Sequence, residues 1–203
     1  HLYIQPHHEK PLLERMWALG EAVQKHLVTE IDYEKLKGGE TVRRTIEPVG
    51  LMFSEYYFYL VAFIRDIDKK AAFENPDDLF PTIYRLDRIR DFQITREHFQ
   101  VPYLERFQEG EFRKRVQFMY PGRLQSIRLR YTGSSVEAIL DRLPTAKIVS
   151  QDANGYLVEA EIYGNGIVMW LLSQGNRVEV LAPQTLREEM FRVLTAMLER
   201  YQP

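Results

Sequence analysis

The chain has 203 residues, of which 45% are hydrophobic and 28% charged, and its formal net charge is −2 at pH 7. This balance excludes an intrinsically disordered chain, and it excludes a protein that holds nucleic acid or an anionic membrane by bulk positive charge, so any basic site must be local. With no cysteine there is no disulfide framework, thiolate nucleophile or cysteine-based zinc site, which fits a cytoplasmic protein.

The length admits one large domain or two small ones. The opening His1-Leu2-Tyr3-Ile4-Gln5-Pro6 has neither the basic flank nor the apolar core of a signal peptide, and no later window approaches a membrane span. The chain does not start with methionine and reads as part of something longer or as a cleaved product. His7, His8 and His26 have no spacing that converges on one ion, so no metal site is expected.

From Pro11 to Leu27 the residues Leu12, Leu13, Met16, Leu19, Val23 and Leu27 recur at steps of three and four, the signature of an amphipathic helix. Thr29 to Leu36 alternates as a strand, Lys37-Gly38-Gly39-Glu40 signals a hairpin, and Thr41 to Ile46 returns. Pro48 is expected to break that strand. Glu55 to Phe63 is the densest aromatic run, with Phe58, Leu60 and Ala62 on one face and Tyr57, Tyr59, Val61 and Phe63 on the other. Asp66 to Pro81 is a polar loop, and residues 82–86 and 89–94 form another strand pair or one strand bulged around Asp87-Arg88. Five short strands in this span suggest a small antiparallel barrel. Glu97 to Gln108 reads as helical despite Pro102, and a domain boundary is placed in the basic stretch between Gly110 and Gly122.

The rest patterns more simply. Leu124 to Thr132 is a strand with Ile127, Leu129 and Tyr131 on one face and Arg128 and Arg130 on the other. Ser134 to Leu143 is a helix capped by Ser134 or Ser135. Residues 146–150 and 155–163 are strands joined through Asn154-Gly155, Gly166 to Ser173 is a helix, residues 177–182 a strand and residues 183–201 a terminal helix. That terminal helix carries Leu186, Met190, Val193, Leu194, Met197 and Leu198 on its apolar side. Strand, helix, strand, strand, helix, strand is the ferredoxin-like order.

Enzymatic chemistry finds no support. There is no nucleophile on a tight turn, Gly164-Asn165-Gly166 lacks the glycine and Lys-Ser/Thr of a phosphate loop, and the pairs Asp77-Asp78 and Glu188-Glu189 do not converge on one point. The arginines are more informative, because guanidinium is permanently charged, planar and suited to phosphate or carboxylate. Arg44, Arg85 and Arg88 fall in strands around the aromatic one and can converge near Tyr59 as a charged, partly aromatic cleft. Alternatively, each pairs with a local acid, Arg88 with Asp87 or Asp91 for example.

Four ordered stretches resemble the WYL-domain transcriptional regulators of bacteria. They are Ile31-Asp32-Tyr33, the run from Arg44 to Leu51 with its Arg-x-x-x-Pro-x-Gly-Leu pattern, Phe58-Tyr59-Leu60-Val61-Ala62 at the motif that names the family, and Tyr84-Arg85-Leu86-Asp87-Arg88-Ile89. Phe58 stands where Trp is usual, and Tyr84 where the family has Phe. Ile127-Arg128-Leu129-Arg130-Tyr131, the run from Trp170 to Gly175, the run from Val178 to Pro183 and the ending Met197 to Tyr201 resemble the extension that often follows such domains.

The resemblance implies an α+β protein: a linker helix (residues 1–28), an Sm-like or SH3-like barrel (29–95), a helical linker (96–122) and a ferredoxin-like domain with a terminal helix (123–203). It implies the effector-sensing and dimerising part of a regulator, without the helix-turn-helix domain through which such proteins meet duplex DNA. The implied effector is anionic, a nucleotide or single-stranded nucleic acid, and the ligand residues carried over are Tyr33, Arg44, Tyr59, Arg85 and Arg88. Arg43 and Arg90 are secondary candidates by proximity, Arg128 and Arg130 by a basic surface. No cofactor and no membrane partner are implied. The alternative is a pure dimerisation module without an effector.

Overall fold

A computed structural model of the chain describes residues 12–35, 39–54, 56–65, 67, 80–100 and 108–202. The chain divides into two compact units, His1–Glu109 and Gly110–Pro203. The expectations for the first eleven residues, for the middle of the Lys37 hairpin, for nearly all of the Asp66 loop and for the centre of the 97–108 helix lie outside the described residues.

In the first unit, α1 (Leu13–Gln24) is shorter than its apolar repeat predicts. It stops because His26 takes a left-handed backbone (φ 51°), its amide reaching the Val23 carbonyl, and turns the chain straight into β1 (Leu27–Glu34). Leu19 and Ala22 are fully buried, and at Gly20 the helix lies close enough to β2 (Thr41–Ser54) for an added Cβ to touch Leu51 at 3.4 Å. Leu13, expected on the apolar side, is exposed.

β2 does not break at Pro48. Pro48 pairs with Ala62 and Gly50 with Val61, so the register slips between them and the strand runs on through a bulge. Proline has no amide to give to the ladder, and a bulge is where a strand tolerates that loss. β3 (Tyr57–Ile64) buries Leu60, Val61 and Ala62 completely. Phe58, Leu60, Ala62 and Ile64 share a core with Leu19, Ile31, Ile46, Tyr84, Leu86 and Ile89, as the alternation predicts.

The stretch around Asp87-Arg88 is neither a strand pair nor one bulged strand. β4 (Thr82–Arg85) ends in a single 3₁₀ turn, Leu86–Arg88, and β5 (Ile89–His98) leaves it for the far edge of the sheet. The strand order is β4-β3-β2-β1-β5, all antiparallel, with β4 and β5 at opposite edges. Among the described residues no pairing closes this sheet into a barrel. It nevertheless curls, because side chains of β1 and β4, with two strands between them in the order, touch across its concave face. Glu97 and His98, expected to begin a helix, are the end of β5. His98 Nδ1 lies 2.9 Å from the Lys25 carbonyl, and the Phe99 amide donates to the His26 carbonyl, fastening β5 to the turn after α1.

At the start of the second unit, α2 (Glu109–Arg115) occupies the first part of the basic stretch in which the domain boundary is expected. The chain then runs close beside the end of β8 (Gly155–Tyr163), where a Cβ on Gly122 would stand 2.5 Å from the Gly164 Cα. Four antiparallel strands, β6 (Leu124–Tyr131), β7 (Lys147–Asp152), β8 and β9 (Val178–Ala182), lie in the order β7-β8-β6-β9. Ile127, Leu129, Tyr131, Val158, Ala160, Ile162 and Val180 face one way. They pack against α3 (Glu137–Arg142), α4 (Ile167–Ser173) and Leu186 of α5 (Gln184–Tyr201). Of the apolar side predicted for α5, Leu186, Met190 and Val193 reach this core, whereas Leu194, Met197 and Leu198 are exposed. No helix among the described residues is long and apolar enough to cross a membrane.

Candidate functional site

The concave face of the first sheet collects polar tips at one end of its apolar core. Tyr33 follows Ile31 by two residues on β1, Arg44 precedes Ile46 by two on β2, and Tyr84 pairs with Leu60, so strand alternation turns all three side chains toward the core side. The curl brings them together. The Tyr33 and Tyr84 rings meet edge to face, 4.9 Å between centroids at 79°, and the Tyr33 hydroxyl accepts a long hydrogen bond, 3.4 Å, from the Arg85 amide. Burial pushes the Tyr33 phenol up, while the Arg85 amide and the charges of Arg88 and Arg85 pull it back.

Tyr84 is the deeper of the pair, 3% exposed, and among the described residues no hydrogen bond of regular geometry reaches its buried hydroxyl. Burial raises its pKa to about 12, against the opposing influence of the Arg44 charge and the Thr82 side chain. Arg44 itself donates only to the carbonyl of its neighbour Arg43, at 3.1 Å. Among the described residues neither Arg44 nor Arg88 has an acid partner. The two half-buried guanidinium groups are near enough for their charge to be felt by the tyrosine pair, Arg88 at Tyr33 and Arg44 at Tyr84.

Arg85 and Tyr59 belong to the other face. They are directly opposite across β3 and β4, and the Arg85 guanidinium sits 3.5 Å above the Tyr57 ring centroid. It also grips Asp87 with both arms, Nε to Oδ1 at 3.0 Å and Nη2 to Oδ2 at 2.7 Å. Burial works against the Arg85 charge, but the Asp87 hydrogen bonds and charge, with Tyr57 and Tyr59, hold its pKa above the ordinary arginine value. Asp87 is 7% exposed, so this pair acts as a brace for the 3₁₀ turn, and the Arg85 side chain is already engaged by an anion.

The expected set thus divides. Tyr33 and Arg44 lie on the concave face, Arg88 in the 3₁₀ turn is near enough for its charge to act on Tyr33, and Tyr59 and the Arg85 side chain share the opposite face. The register sets Tyr59 against Met52, well along β2 from Arg44. The secondary candidates are all ion-paired: Arg43 with Glu30 and Asp32, Arg90 with Glu34 at 2.5 Å, Arg128 with Glu159 through Nε at 2.9 Å, and Arg130 with Asp152 at 3.4 Å. Local pairing therefore describes Arg43, Arg85, Arg90, Arg128 and Arg130. It does not extend to Arg88, which has no ion pair among the described residues; Asp87 is turned to Arg85 and Asp91 accepts the Phe92 amide at 2.9 Å.

Two contributors were not singled out from the sequence, Tyr84 as a polar member of the cluster and Asp87 as the brace. A signal for Tyr84 existed, since a tyrosine at a core-facing strand position carries a hydroxyl that needs a partner. Among the described residues, no three His, Asp or Glu side chains come together as a metal site would require.

Residues 15–94 match the model of the WYL domain, and residues 123–198 match that of the WCX domain. Among solved structures, a CRISPR Cas-related protein aligns over 93% of this chain with a TM-score of 0.53 and 19% identity, a likeness of fold. Proteasome accessory factor B/C of Arthrobacter aurescens aligns over 97% with a TM-score of 0.42 and 17% identity. The chain spans 50% and 28% of the lengths of those two proteins. No curated protein matches the sequence.

Proposed function

From the premise that this chain belongs to the WYL-domain family, with a WCX domain behind its WYL domain, we propose that it is the effector-sensing region of a bacterial transcriptional regulator. The effector is an anion, a nucleotide or single-stranded nucleic acid, held on the concave face of the WYL sheet. The observation that carries this reading is the pair of half-buried arginines without acid partners among the described residues, Arg44 and Arg88, whose charge reaches two tyrosines that meet edge to face. Guanidinium supplies charge and directed donors to phosphate, and the phenol rings supply apolar walls. The curl of the first sheet supports an Sm-like reading of the WYL domain. The order β7-β8-β6-β9 supports a ferredoxin-like reading of the second unit. Duplex DNA would be met by a helix-turn-helix domain outside this chain, and a bound effector shifts that domain's affinity only if it binds the two regulator states unequally.

Titration with short single-stranded oligonucleotides and with cyclic dinucleotides at two salt concentrations tests the reading. Arg44→Ala and Arg88→Ala should each weaken binding about tenfold or more and lower the salt slope by about one. Arg43→Ala and Arg90→Ala, which remove guanidinium groups already paired at the surface, should change it little. Absence of salt-sensitive binding to the unmodified protein would sink the effector.

The second reading is an assembly module, favoured by the exposed row Phe191, Leu194, Leu198 and Tyr201 on α5. It predicts a homodimer whose concentration dependence is unchanged by the Arg44 and Arg88 substitutions.

A further inference from the structure

The turn that carries Arg88 is pinned from behind by α1. In the pairing of β1 with β5, Asp32 stands opposite Asp91 but Tyr33 stands opposite Ile89, so Arg90 is the extra residue of a bulge. A bulged residue drops out of the ladder, and its backbone groups need partners from elsewhere. Arg15 supplies them: one arm of its guanidinium donates to the Ile89 carbonyl and the other to the Arg90 carbonyl, at 3.2 Å. Among the described residues Arg15 has no acid partner, so these two carbonyls are what its side chain is held by. The same helix packs Leu12, Met16, Leu19 and Val23 on the core that contains Leu86 and Ile89, the residues on either side of Asp87-Arg88.

We propose that Arg15 is a positioning residue for the anion site: by locking the bulge at Arg90 it sets the direction in which the 3₁₀ turn presents Arg88. The inference rests on the anion-binding reading above, in which Arg88 touches the ligand. The entry to the turn is fixed separately, since the Arg85 amide donates to the Tyr33 hydroxyl and the Arg85 side chain grips Asp87. Its exit is held by the pairing of Ile89 with Tyr33 and by the Arg15 fork. Side-chain direction reverses with every residue along a strand, so a slip of the bulge by one residue would rotate the turn before it and carry Arg88 away. Arg44 lies on β2, with β1 and β3 paired on either side, and such a slip leaves it in place. The effect of Arg15 is therefore specific to Arg88.

Calorimetric titration of the whole chain with a thymidine oligonucleotide of about six nucleotides, at two salt concentrations, reads the role in a double-mutant cycle. Arg15→Ala should weaken binding about fivefold. In an Arg88→Ala background the same change should cost less than about twofold and leave the salt slope unchanged, whereas in an Arg44→Ala background it should cost the same factor as in the unmodified protein. Arg15→Lys keeps the charge and one donor but not the fork that spans two carbonyls, and it should show the same dependence on Arg88 in smaller measure; it replaces the alanine variant if that one does not fold. An undiminished loss in the absence of Arg88 would make Arg15 a direct contact or a general support of the fold, and no loss in the unmodified background would remove the role altogether. Either result overturns the assignment while the anion site stands. If Arg88→Ala does not weaken binding, or the oligonucleotide does not bind the unmodified protein, the anion reading and the assignment fall together.

Discussion

Tyr84 and Arg85 are neighbours in sequence with opposite energetics. Tyr84 carries a buried polar atom that no described residue pairs by a hydrogen bond of regular geometry, and removing the hydroxyl as phenylalanine should stabilise the protein by about 1 kcal/mol. Its pKa, about 12 when folded against ~10 in the unfolded chain, means that the native state holds the proton more tightly. That contribution is complete below about pH 10 and is lost as pH rises toward 12, so the urea midpoint should fall between pH 9 and pH 11 less steeply in Tyr84→Phe. Arg85 is the reverse case. Replacing it with alanine strands the buried Asp87 carboxylate, and with the guanidinium partly solvated the expected cost is about 2 kcal/mol, read as a lower urea midpoint. Loss of ligand binding in Arg85→Ala would therefore report a damaged turn, and Arg44 and Arg88 are the cleaner probes.

At the scale of elements, α1 is held by burial as well as by hydrogen bonds. Leu19 is fully buried against β-sheet residues, while Arg15 donates to the carbonyls of Ile89 and Arg90 where β5 begins. Leu19→Ala should cost about 3 kcal/mol of unfolding free energy, measured by chemical denaturation. The loop beside β8 offers a steric test. Gly122→Ala would set a Cβ against the Gly164 backbone, which cannot rotate away as a side chain does, and should destabilise the protein by about 2 kcal/mol, visible as a lower Tm. Periodicity found α1 and most strands but missed their ends. The helix ends where His26 turns left-handed, and β2 passes through Pro48 because β3 accepts a bulge there. Both outcomes depend on what packs alongside, which a local pattern does not contain. The same holds for α5, whose apolar side is read correctly as one stripe, although only its first half meets the core.

For the whole molecule, the sequence by itself determined the order of most elements, the two families of motif and the face of the sheet to which most strand residues belong. Alternation alone turns Leu60 inward and Tyr59 outward, and it separates Ile127, Leu129 and Tyr131 from Arg128 and Arg130. With a net charge of −2, it also limits any anion-binding surface to a local basic patch. Only the tertiary structure decided which arginines are already paired. Arg43, Arg90, Arg128 and Arg130 look like Arg44 and Arg88 in sequence, but their acids come from neighbouring strands or, for Arg130, from the last residue of β7, and register sets those meetings. The curl of the sheet likewise brings Tyr33 to Arg85, 52 residues away, and sets the Tyr84 ring edge to face with it. Side-chain direction is fixed within a strand by backbone geometry, whereas contact across a curled sheet depends on how every intervening strand twists and bulges.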